Sequence, residues 1–184
     1  ILEEFGWSRA ATAATYSIFT LVYGFAAAVG GRFVDRFGPR LLLPVGAITL
    51  AAGLVMLTGT SEIWHLYLFY GCVASSGLSV LGSVPSYTVL NNWFVKKRGL
   101  AIGTATAGIG VGMILMVPWL QTIISSYGWR TAYLVLAAII VAVIPALTAL
   151  FQRHRPQELG LLPDGEPGRD NSFPGAGEKI QDDV

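Results

Sequence analysis

Charge is what this 184-residue sequence has least of: 12% of its residues are Asp, Glu, Lys or Arg, against roughly 25% in an ordinary soluble domain. The scarcity is not evenly spread. Five long runs contain none of the four, and His65, at the outer end of one run, is the only histidine near any of them. An ionisable group at membrane depth is the usual mark of a proton relay or a substrate counter-charge, so these runs supply neither. The single cysteine, Cys72, rules out an intrachain disulfide and lies in an apolar run as a small packing residue. Serines occur without a facing His or Asp at the same depth, which excludes a nucleophile with its base and argues against an enzyme. No set of metal ligands is offered, and no metal or cofactor is expected. A net charge of +1 gives no footprint for nucleic acid. The glycines at 108, 110 and 112 lack the full G-x-G-x-x-G spacing and follow no strand, so they read as helix packing rather than a phosphate loop.

What is abundant is apolar surface: 53% of residues are hydrophobic and the mean hydropathy is +0.59. The uncharged runs cover about residues 11–30, 41–60, 63–94, 99–125 and 131–151. Runs of about 20 apolar residues cross a bilayer as helices. The expected fold is therefore all-α: a polytopic membrane helix bundle of five transmembrane helices over residues 11–155, with the lipid bilayer as its surroundings. Ser8 is placed to cap the first helix, and Trp7 and Trp64 sit at interfacial depth. Thr12, Tyr16, Thr20 and Tyr23 recur at helical spacing on the first run. Such hydroxyls either face a cavity or back-bond to the carbonyl four residues earlier. On the third run Ser75, Ser79, Ser83, Ser86 and Tyr87 line one side, and Gly71 and Gly82 allow close backbone approach. Pro44, Pro118 and Pro145 interrupt otherwise helical runs; Pro118 should kink its helix.

The basic residues fix an orientation. Arg32, Arg36, Arg40, Lys96, Lys97, Arg98, Arg153, Arg155, Arg169 and Lys179 fall on one side of the five spans, and only Arg9 and Arg130 on the other. The positive-inside rule puts the first group in the cytoplasm. Residues 1–10 are then an extracytoplasmic loop, and residues 156–184, rich in Gly, Pro, Asp and Glu, a largely disordered cytoplasmic linker. The expected location is the cell membrane, multi-pass. Ile1 is not a methionine, and five spans with an external start insert awkwardly. The chain is therefore expected to be a piece of a longer protein with one more helix upstream.

Between the first two runs lies a charged island, residues 31–40, in which Gly31, Asp35, Arg36, Gly38 and Arg40 give the spacing G-x-x-x-D-R-x-G-x-R. This resembles the loop between the second and third helices of major facilitator superfamily transporters, departing at Leu41, where the family often has another basic residue. Phe5-Gly6-Trp7-Ser8-Arg9 resembles the start of the second helix in the monocarboxylate porter and oxalate/formate antiporter groups. Asn92-Trp93-Phe94-Val95-Lys96-Lys97-Arg98-Gly99-Leu100-Ala101 resembles their fourth-to-fifth helix junction. Arg155-Pro156 with Leu159-Gly160-Leu161-Leu162-Pro163-Asp164-Gly165 resembles the opening of their central linker.

The resemblance implies that this chain is a fragment of the N-terminal half, holding helices two to six. A first helix and a second six-helix half would be its partners within the same protein. It implies alternating access of two bundles about a central site, with Asp35 as a latch toward the other half. By position, Tyr87 and Met113 would face substrate, with Ser83 and Asn91 beside them, and Lys96, Lys97 and Arg98 would mark the inner mouth. The function implied is secondary transport of a small organic anion, a monocarboxylate or dicarboxylate, by proton symport or anion exchange. The fragment alone would be inactive. The rival readings are a membrane scaffold or receptor that keeps the fold, and a carrier of another substrate class.

Overall fold

A computed structural model of the chain describes residues 6–82 and 97–151 together with Tyr87, Leu90 and Phe94; nothing is described of the side chains of Val34, Asp35, Phe37, Pro39 and Phe151. Among the described residues every regular element is helical. In a lipid interior this follows from the backbone, because only a helix or a closed barrel satisfies each peptide group without water.

Helix α1 runs Arg9–Phe37. Ser8 starts it, its Oγ accepting from the Ala11 N–H at 3.1 Å, which satisfies one of the donors a helix start leaves open. The charged island, expected as a loop, is mostly helix: α1 continues to Phe37, and the turn to α2 (Pro39–Thr58) is the single residue Gly38. Its φ of 77° and ψ of 154° belong to a region that only glycine enters readily. Proline then opens α2, where its missing N–H costs nothing.

Gly59 and Thr60 close α2 by donating to the Met56 and Leu57 carbonyls at 3.1 Å. The next helical run begins with α3 (Ile63–Leu66), passes through a π-helical segment (Tyr67–Ala74) and ends in α4 (Ser75–Leu81). Its start carries a reciprocal cap. The Glu62 side chain accepts from the His65 N–H, and His65 Nδ1 accepts from the Glu62 N–H at 3.3 Å. The Trp64 indole donates to the same Glu62 carboxylate.

Helix α5 (Arg98–Phe151) has 54 residues and leaves helical geometry once, at Gly128 with φ 82° and ψ 164°. At 1.5 Å per residue its contour is about 80 Å, more than twice the ~30 Å hydrocarbon thickness. Among the described residues, three helical stretches are long and apolar enough to cross a membrane: Arg9–Phe33, Arg40–Thr58 and Arg98–Leu150.

The packing centre is α2. It lies against the π segment, α4 and α5, while α1 covers the π segment and α4. Ala51, Leu54 and Leu57 meet Leu66 and Ala137 in the buried cluster, with Trp7, Tyr70 and Tyr133 around it. The two arms of α5 behave differently. Residues 129–151 join this core, and Arg130 Nε donates to the Thr58 carbonyl at 3.1 Å. Residues 98–127 stay largely exposed, with Ile114 at 73% and Leu115 at 66%.

Glycine decides how closely α2 and the third run approach. A Cβ on Gly53 would come within 2.7 Å of the Ala74 nitrogen, and one on Gly77 would collide with the backbone nitrogen of Leu50. The approach expected at Gly71 and Gly82 is made to α1: Cβ atoms there would strike Ile18 and the Tyr23 hydroxyl.

Candidate functional site

The island motif is built by the one-residue turn. Because α1 stays helical to Phe37 and α2 starts at Pro39, Arg32, Arg36 and Arg40 gather at one end of the bundle, all three exposed. Arg36 lies in the last turn of α1, where a cation complements the partial negative charge of the helix end. Asp35 occupies the same turn, and a carboxylate there opposes the helix dipole.

The basic residues after the third run belong to a second corner. Lys97 lines a cavity of about 510 Å³ that it shares with Leu90, Phe94, Leu100, Ala101, Thr104 and Ala105, and Arg98 is exposed beside it. Lys96 lies outside the described residues.

Of the residues expected to face substrate, Ser83 and Asn91 also lie outside the described residues. Tyr87 is half-buried, and Met113 is 62% exposed on the 98–127 arm. Neither lines any of the three cavities described here.

The serine face resolves into two surroundings. Ser75 and Ser79 are fully buried. Their hydroxyls donate to carbonyls of their own helical run, Gly71 for Ser75 and Ser76 for Ser79. Ser76 and Ser79 also border an apolar cavity of about 320 Å³ between α1 and α4, walled by Phe25, Val29, Phe33 and Val80. Hydroxyls bonded internally in this way add little polarity to that wall.

A third cavity, of about 210 Å³, lies where Thr12, Thr15 and Tyr16 of α1 meet Leu66, Tyr70 and Tyr133. The hydroxyl periodicity of the first run points to Thr12 and Tyr16. Thr15, Tyr70 and Tyr133 were not legible, since their convergence depends on how three elements far apart in the chain are placed. Stacking holds the rings: Phe19 lies 4.8 Å from Tyr70 and 6.4 Å from Tyr16, and Trp129 meets Tyr133 edge-on at 5.8 Å.

Comparison with known proteins identifies the family. The family model of the Major Facilitator Superfamily matches residues 1–177. Monocarboxylate transporter 11 of Mus musculus is 32% identical over 145 residues, which is 79% of this chain and 32% of that protein. Monocarboxylate transporter 13 of Bos taurus is 32% identical over 67% of this chain and 29% of its own length. The oxalate:formate antiporter of Oxalobacter formigenes is 28% identical over 86% of this chain and 37% of its length. The chain thus spans about a third of these relatives. A helical chain with membrane-length apolar helices, a G-x-x-x-D-R-x-G-x-R turn and a family match over nearly its full length belongs to the Major Facilitator Superfamily.

Proposed function

We propose that this chain is part of a secondary transporter that moves a small organic anion, a monocarboxylate or dicarboxylate, across a cell membrane by alternating access. The observation that carries the reading is its similarity, over most of its length, to monocarboxylate transporters and an oxalate:formate antiporter. The transport cycle is a property of the full-length protein, since the part matched here is only about a third of the curated relatives' length. In this reading five spans cross the bilayer, with the two arms of α5 as the fourth and fifth. The basic ends face the cytoplasm, residue 1 is extracytoplasmic, and residues 156–184 form the cytoplasmic linker. A first helix and a second six-helix half complete the carrier.

Roles follow from position. Asp35, with Gly31, Arg36, Gly38 and Arg40, forms the latch that favours one closed face. Tyr87, Met113, Ser83 and Asn91 contribute to the substrate side, and Lys96, Lys97 and Arg98 stand at the inner mouth. A tyrosine hydroxyl donates to a carboxylate without adding a charge to the membrane interior. The cation that balances the substrate comes from outside this chain, because its spans contain none.

The test is flux. The full-length protein in liposomes is expected to take up labelled lactate or oxalate under a pH gradient or against internal counter-substrate. Absence of uptake under both conditions, with the protein folded, would leave a scaffold, a receptor or a carrier of another substrate class.

A further inference from the structure

Threonines and serines in these helices follow one habit: the hydroxyl donates to a carbonyl three or four residues earlier. Thr12 bonds Ser8, Thr20 bonds Tyr16, Thr131 bonds Tyr127 and Thr148 bonds Ile144. Thr15 departs from it. It is 3% exposed, and its Oγ1 has no hydrogen-bond partner among the described residues.

Part of the cause lies across the fold. Of the two carbonyls such a hydroxyl can reach, those of Ala11 and Thr12, the first already accepts from the hydroxyl of Tyr67 at 3.0 Å. With the helical bond from the Thr15 N–H, both lone pairs of that oxygen are engaged. The Thr15 hydroxyl bonds neither of them, and Thr15 lines the 210 Å³ cavity with Tyr16, Tyr70 and Tyr133. Tyr70 sits in the π-helical segment, a rare geometry that recurs at functional sites. The cavity lining carries hydroxyl donors and no acidic side chain.

We infer that this cavity is a carboxylate-binding subsite, separate from the positions at Tyr87 and Met113, in which the hydroxyls of Thr15, Tyr70 and Tyr133 donate to a small mono- or dicarboxylate. The volume admits an anion of that size. The site needs no cation of its own, because hydroxyl donors replace part of the anion's hydration without burying a second charge. The inference rests on the reading of the chain as part of a carboxylate carrier, and gives that carrier a second place to hold its substrate.

The experiment uses the full-length protein carrying Thr15→Val, Tyr70→Phe or neither. Thr15→Val is close in shape and removes only the unmatched hydroxyl, so in the absence of carboxylate it should melt at or above the parent temperature. With oxalate or lactate present, the parent should show a stabilising shift that either variant reduces. In liposomes each variant should raise the apparent KM about threefold to tenfold, the loss of one donated hydrogen bond, with maximal rate within about twofold. If both variants bind and transport with the parent's affinity, the subsite is overturned. If the parent transports neither anion but shows a thermal shift that Thr15→Val removes, the subsite stands and the transport reading fails. If the parent shows neither transport nor shift, both fall.

Discussion

A methyl group added to Gly77 would land on the α2 backbone, 2.8 Å from the Gly46 oxygen and closer still to the Leu50 nitrogen. The obstruction is main chain, so no side-chain rotation relieves it. Gly77→Ala should separate α2 from α4 and cost roughly 1–3 kcal/mol, visible as a lower melting temperature of the detergent-solubilised protein. Gly24 has nothing within 4 Å of a built Cβ, so Gly24→Ala should leave that temperature unchanged or slightly raised; equal losses at the two positions would refute the seam. Tyr87 calls for a different readout. If its hydroxyl meets the substrate, Tyr87→Phe weakens binding by roughly 0.5–1.5 kcal/mol, seen as a higher apparent KM for labelled carboxylate. An unchanged KM reassigns it to packing. The buried serines were visible in the sequence as a stripe, but their bonding was not. Whether a hydroxyl bonds its own helix depends on whether that carbonyl is still open.

Two single-residue breaks shape the helices. Gly38 and Gly128 hold φ of 77° and 82° with extended ψ, a combination that costs a residue with a Cβ roughly 1–3 kcal/mol. Gly128 has open space around it, so the penalty of Gly128→Ala is purely conformational and a smaller-than-expected loss would show that the break is soft. Gly38→Ala should also disturb the motif turn, lowering transport rate as well as stability. Asp35→Asn removes charge without changing shape at the C-terminal turn of α1. It should lower turnover of the full-length carrier more than it changes substrate affinity, and an unchanged maximal rate would remove the latch. Helix starts were legible where the cap is local, as at Ser8. The one-residue turn was not: three arginines and an aspartate in ten positions look like a loop, whereas a helix can carry them once they project past the apolar layer.

The molecule as a whole has an asymmetry that matters for assembly. α2, the third helical run and the 129–151 arm bury a common cluster, while the 98–127 arm presents Ile109, Ile114 and Val117 outward. In water such a surface would drive aggregation; in a bilayer lipid solvates it equally well, so its exposure carries no energetic contradiction. In the proposed carrier the uptake of labelled lactate or oxalate by the full-length protein is the decisive measurement, and it should depend on the pH or counter-substrate gradient. Membrane helices, the motif and the family could be read directly from the residues. Backbone polar groups in an apolar medium have to be satisfied within the segment itself, so composition along the chain is enough to make the apolar runs helical. The partnership between Tyr67 and Ala11, 56 residues apart, could not be read in this way. It exists only once two helices are set side by side, and it takes up one of the carbonyls that the Thr15 hydroxyl could have used. Side-chain hydrogen bonding is settled by competition for a limited number of lone pairs, and the competitors meet only in three dimensions.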